Sequence, residues 1–143
     1  MTILRQIYVE SLLERFRASP ALTTLARVER SVIDAMDLAD RAVIVAHRSG
    51  ERKREEYVGY VDRFCELLIT IVTRDSQPDV LADQILEVAH PIVMGLTGHQ
   101  LIDIEEMDDG TDPPVYAGNN GSLCLCTTHY LMHYRTQRDD LSK

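Results

Sequence analysis

Residues 122–140 read SLCLCTTHYLMHYRTQRDD, one long alternating stretch that finishes in Tyr134-Arg135-Thr136 and a charged tail. In a strand, successive side chains point to opposite faces. Cys124 and Cys126 then share one face, and His129 and His133 share the other. The stretch carries no nucleophile motif, no metal cluster and no phosphate loop. A chain whose longest feature is a sheet strand is built to hold a shape. An assembly component is therefore expected before an enzyme.

Upstream of this strand the pattern alternates between helices and strands. Residues 108–121, DDGTDPPVYAGNNG, are dense in turn formers and read as an acidic Pro/Gly loop. A short strand is expected over 101–107. A helix is expected over 79–94, with Val80, Leu81, Ile85, Val88, Ala89, Ile92 and Val93 inward. Pro78 suits its first turn, Pro91 kinks or tightens its end, and Gly95 and Gly98 stop it. Residues 61–73, VDRFCELLITIVT, form a strand. Cys65, Leu67, Ile69 and Ile71 line one face, and Phe64, Glu66, Leu68, Thr70 and Val72 the other. Residues 49–60, SGERKREEYVGY, read as a charged hairpin loop, and 41–47, RAVIVAH, as a buried strand. Residues 34–40 read as a loop and 25–33 as a short strand. The opening helix covers 3–17, with Thr2 as its cap and a stripe of Ile3, Ile7, Leu12, Leu13 and Phe16, flanked by Leu4 and Tyr8. Ser19-Pro20 ends it.

The order predicts an α+β fold: a mostly antiparallel mixed sheet with two helices packed on one face, in a single domain over 1–143. Two helices cover one face only. The other is left showing either Phe64, Leu68 and Val72 or Leu123, Leu125 and Leu131. Exposed apolar sheet surface points to a partner, here a second copy of the chain.

A chain of 143 residues buries roughly 68–70% of its unfolded surface, enough for a real core. Tryptophan is absent and phenylalanine occurs twice, so aliphatic residues must fill most of it. The net charge of −8 disfavours general nucleic-acid binding and docking on anionic membranes. It leaves open the passage of DNA through an acidic channel. The three cysteines, Cys65, Cys124 and Cys126, suggest reduced thiols in a cytoplasm. No apolar run reaches the ~18–20 residues of a membrane span. The start, interrupted by Glu10 and Glu14, is amphipathic and does not read as a signal peptide.

The densest charge cluster is Asp103, Glu105, Glu106, Asp108, Asp109 and Asp112. Hard cations take several carboxylate oxygens, but the calcium-loop spacing is missing, and the run reads as a solvated strand end and loop. No cofactor is implied beyond a weakly held divalent cation. Asp103 and Glu105 alternate as in some metal-dependent nucleases, without the lysine that usually follows. Of the five histidines, His47, His90, His99, His129 and His133, none stands in a metal motif or beside a nucleophile elbow. His47, Arg48, Arg52, Lys53 and Arg54 form a basic patch, diluted by Glu51, Glu55 and Glu56. Contact between this patch and an acidic surface of a neighbouring subunit fits a head-to-tail ring.

The layout resembles the tail terminator proteins of long-tailed phages, the minor tail protein U type of lambda-like phages, over about residues 3–138. Four features carry the resemblance: the opening amphipathic helix; AVIVAHRSGE leading through a charged hairpin into FCELLITIVT; ILEVAHPIVMGLTGHQLIDI, a helix passing directly into a strand; and the closing strand with Tyr134-Arg135-Thr136. The resemblance implies a non-enzymatic six-membered ring that caps the growing tail tube, stops its polymerisation and presents the surface that joins the head. It implies as partners further copies of the chain, the major tail tube protein and a head-completion or connector protein, with DNA in transit and no membrane. The implied location is the virion tail, assembled in the bacterial host cytoplasm. Arg48, Arg52, Lys53, Arg54 and Tyr57 of the hairpin, and Asp108, Asp109 and Asp112 of the acidic loop, are the expected subunit or tube contacts. Two alternatives stand beside it. One is a head–tail connector or neck protein of similar fold. The other is a small metal-dependent hydrolase using Asp103, Glu105 and neighbouring acids.

Overall fold

A computed structural model describes residues 2–37, 40–118 and 123–143. Its elements are helices α1 (Leu4–Arg17), α2 (Pro20–Leu25), α3 (Val32–Asp37) and α4 (Pro78–Met94). The strands are β1 (Arg27–Glu29), β2 (Ala42–Tyr57), β3 (Tyr60–Arg74), β4 (Leu101–Thr111), β5 (Val115–Ala117) and β6 (Leu123–Gln137). The sheet runs β1-β2-β3-β6-β4, with β5 also on β6. Among the described residues β1–β2 is the one parallel pairing, and the others are antiparallel. The expected α+β fold with a mostly antiparallel sheet is therefore the fold observed.

Several local expectations are corrected. Residues 49–60 are not a hairpin loop. The β2–β3 ladder continues to Tyr57↔Tyr60, leaving a two-residue turn, Val58-Gly59. Gly59 has φ 81°, which a side chain would resist. Charged residues extend this strand because its distal part projects into solvent, where polarity costs nothing. The acidic loop is shorter than 108–121: β4 runs on to Thr111 and β5 follows, while residues 119–122 lie outside those described.

There are four described helices, not two. Ser19-Pro20 ends α1 but also starts α2: Ser19 Oγ accepts the Leu22 N–H, and proline occupies the first turn. Ser31 Oγ accepts the Asp34 N–H and opens α3, which takes the end of the strand expected over 25–33 and the start of the loop expected over 34–40; the strand itself is only Arg27–Glu29. The α1 stripe is Leu4, Tyr8, Val9, Leu12, Leu13 and Phe16; Ile7 faces solvent, and Thr2 makes no cap, since Ile3 holds that position without a side-chain bond. Val80 on α4 is likewise exposed, while Leu81, Ile85, Ala89 and Val93 are buried.

Helices α1, α2 and α4 share one core with the inward residues of the sheet. From β3 these are Cys65, Leu67, Ile69 and Ile71, and from β6 Tyr130, Met132 and Tyr134. The two apolar sets named as alternatives for the leftover face both lie on the opposite side. Val72 pairs with Leu125, Leu68 with His129 and Phe64 with His133. One end of that side is covered by α3, whose Ala35 packs with Val43, Val45 and Val72, and with Leu123 and Leu125 at the margin. The rest is mixed with charge, so it is not the open apolar face that was expected.

Where α1 crosses β2, the carboxylate of Glu51 is nearly buried. It receives Arg5 Nη1 at 2.7 Å and the Tyr134 hydroxyl, with Arg63 Nη1 at 3.9 Å. Glu51→Ala strands both partners, at an expected cost of about 3 kcal/mol. Glu56→Ala, at exposed ion pairs with Lys53 and Arg138, is expected to cost under ~1 kcal/mol. Urea unfolding of the two variants measures the difference.

Candidate functional site

The residues named as contacts fall on two edges of one sheet. Beyond Val45, no described strand pairs with the outer side of β2. Arg48, Arg52, Lys53, Arg54 and Tyr57 stand on this free arm, all exposed. On the far edge, β4 has β6 on one side and no described strand on the other. It bears Asp103, Glu105, Glu106, Asp108 and Asp109 and no cation.

The β4 ladder is regular only as far as Glu106↔Tyr130 and resumes at Thr111↔Thr128. The extra residues between, Met107-Asp108-Asp109-Gly110, form an acidic bulge, turned by Gly110 at φ 56°. Asp112 belongs elsewhere. Its carboxylate lies 2.9 Å from His129 Nε2, while His129 Nδ1 meets Glu66 Oε1 at 2.6 Å. His129 thus ties the segment after β4 to β3. Sequence reasoning placed Asp112 among the contacts and missed this clamp, although the opposite facing of histidines and cysteines is as expected.

The outer sheet face between the edges is a layered set of contacts. Phe64 stacks on His133 with ring centroids 4.3 Å apart, and the Arg54 guanidinium lies 5.3 Å from the Phe64 centroid. Arg135 reaches Asp62 at 2.7 and 3.3 Å and covers the Tyr57 ring at 5.1 Å. That Arg135 bond holds the Asp62 carboxyl below the usual range. Arg52, Lys53, Arg54, Phe64 and Leu131 enclose a cavity of about 320 Å³ with an apolar floor and a cationic rim. At the hairpin tip Tyr57, Val58 and Tyr60 are exposed, Val58 at 99%.

The thiols of Cys65 and Cys126 are raised, to about 11 and about 12, chiefly by burial, which keeps them protonated. His47 contacts Thr70, which contacts Thr127, at 3.1 and 3.0 Å, and burial lowers the imidazole. Asp103 and Glu105 are exposed on β4, and among the described residues no three His, Cys, Asp or Glu side chains converge on a metal position. No helix among them is long and apolar enough to cross a membrane.

No family model matches the chain, and no curated protein matches it. Among solved structures, the fold is similar to a chain described as "Virion of native gene transfer agent (GTA) particle". The TM-score is 0.69 at 10% identity, covering 89% of this chain and 93% of that one. The likeness therefore concerns the fold across nearly the full length of both.

The His129 clamp has a signed pH dependence. The Asp112 contact, helped by Glu66 and opposed by burial, raises the imidazole above its ordinary 6.5. A group raised on folding adds stability that is full below the unfolded value and is lost as pH rises through the folded one. The unfolding midpoint is expected to fall as pH rises above about 6.5, and the slope to flatten in His129→Gln. Urea titrations at stepped pH, with NMR of the imidazole, check both.

Proposed function

We propose that this chain is a structural component of a phage or phage-like particle. It caps the tail tube as a homo-oligomeric, six-membered ring, ends tube polymerisation and forms the surface to which the head is joined. The observation that carries the reading is the full-length fold likeness to a chain of a gene transfer agent virion. The order of elements that resembles the tail terminators supports it. Its partners are further copies of itself, the major tail tube protein and a head-completion or connector protein, with DNA passing through the ring. It works in the virion tail, after assembly in the host cytoplasm.

Capping of this kind is geometric: one face of the ring matches the tube end and the other refuses another tube ring. The β2–β3 hairpin is the element suited to reach the tube. It projects beyond the helices and ends in exposed Tyr57, Val58 and Tyr60. Apolar and aromatic side chains on a tight turn make rigid anchors of the kind found at interface centres.

Light scattering across concentration, followed by negative-stain imaging with and without tail-tube fragments, tests the reading. Closed six-fold rings seated on tube ends, which then stop growing, are expected. Binding to head connectors but never to tube ends would transfer the chain to the neck-protein alternative. Val58→Asp, at a fully exposed position, is expected to weaken tube binding about tenfold or more while leaving the ring mass unchanged.

A further inference from the structure

The two open edges of the sheet match each other. Two rows can be followed across four strands, one on each side of the β2 irregularity between Arg48 and Glu51. In one row Arg52 pairs with Phe64, Phe64 with His133, and His133 with Asp103. In a second row Arg48 pairs with Leu67, Leu67 with Tyr130, and Tyr130 with Glu106. Each row begins with an arginine on the free arm of β2 and ends with a carboxylate on the free side of β4. The paired residues stand three apart on β3, β6 and β4, and the extra residue of the β2 bulge brings Arg48 and Arg52 into step, so the two rows lie on opposite faces of the sheet. The match therefore holds on both faces.

We infer that neighbouring copies join head to tail through these edges, with β4 of one chain beside the β2 arm of the next. The inference rests on the homo-oligomeric reading above and specifies its subunit contact. The strands have the right sense. β2 runs antiparallel to β3, β3 to β6 and β6 to β4, so β4 and the next β2 are also antiparallel. Joined at the same level, Asp103 faces Arg52 of the next chain, and Glu106 faces its Arg48. Adjacent strands lie about 4.8 Å apart, within reach of such pairs.

The charges exclude the symmetric alternatives. Two β4 edges together would set five carboxylates against five. Two β2 arms would set Arg48 and Arg52 against their own copies. Like charges facing each other across an interface are repulsive. Among the described residues Asp103, Glu105, Asp108 and Arg52 have no ion-pair partner, whereas Glu106 already reaches His90 Nε2 at 3.3 Å from an exposed side chain and would exchange or share that contact. Two of the three acids that dilute the β2 arm in the sequence are already engaged: Glu51 by Arg5 and Tyr134, Glu56 by Lys53 and Arg138. Rows of equal height also mean that each contact adds little displacement along the strands. A heterologous contact whose rotation closes without rise forms a ring; one with rise climbs into a filament.

A charge swap tests the contact. Arg48→Glu with Arg52→Glu reverses one edge, and Asp103→Lys with Glu106→Lys reverses the other. Each pair alone is expected to raise the concentration needed for half-assembly about tenfold or more. Mixing the two variants, or placing all four substitutions in one chain, is expected to restore assembly. Thermal melts of each variant separate loss of contact from loss of fold. Absence of rescue by variants that remain folded overturns the inference, as does assembly insensitive to either reversal. Tube capping is read separately on the same samples. Rings that assemble and rescue as described but never seat on tube ends overturn the capping function and leave this contact standing. Rings that cap tubes and ignore the swap do the opposite.

Discussion

The ladder between β3 and β6 is the constraint on which the rest of the molecule depends. It pairs all fifteen residues of each strand, from Tyr60↔Gln137 to Arg74↔Leu123, without an irregularity. Because side chains alternate, a slip of one residue would turn every inward group of β6 outward. Tyr130, Met132 and Tyr134 would leave the helices, and His129 and His133 would enter the core. The register that closes the core thus also sets the charges on the outer face. β2, β4 and β5 are all positioned from these two central strands.

The two faces solve different problems. The helix-covered face lacks tryptophan and uses tyrosine for bulk. Each buried tyrosine carries its hydroxyl to a partner: Tyr8 to the His99 carbonyl, Tyr130 to His90 and Tyr134 to Glu51. Tyr8 and Tyr134 meet edge to face at 5.3 Å. Glu51 is therefore a fixed point of the core–surface boundary, linking α1 to both strands of the hairpin base and to β6. The opposite face is closed by α3 at one end and elsewhere by stacked and paired groups. Phe64 is covered by His133 and Arg54, and the Tyr57 ring by Arg135. That face offers little open apolar surface, and the proposed contact between copies lies at the sheet edges instead.

The sequence was legible where one period dominated. The 3.6 period of α4, the alternation of β3 and β6 and the opposite facing of Cys124/Cys126 and His129/His133 all read correctly. Two kinds of residue misled. Serines at 19 and 31 cap short helices, but each stands beside a stronger local signal, Pro20 in one case and an alternating run in the other. Charged residues at 49–57 and 108–111 look like loop because polarity stands in for exposure, and an edge strand is exposed along its open side. The charge clusters on the two edges were recognisable in the sequence. Their pairing across rows was not, since register links residues 48 and 106 only through two intervening strands. Asp112 needed the fold to reveal His129 as its partner.

Edge irregularity and edge charge act together. Both edge strands are broken twice, β2 at Arg48/Glu51 and Lys53/Glu55, β4 at Leu101/Asp103 and Glu106/Thr111, while the central ladder is unbroken. A long, flat, neutral edge would pair with any strand it met. Bulges remove that freedom by twisting the strand and leaving only short runs in register. Charges of one sign then reject a second copy of the same edge. What remains acceptable is an edge of opposite charge at the same height, and the chain carries one on its other side. In the proposed contact, the features that keep single copies from sticking indiscriminately are therefore the same ones that specify how copies join. The net charge of −8 gives no hint of this, because the specificity lies in the separation of charge across four strands rather than in its sum.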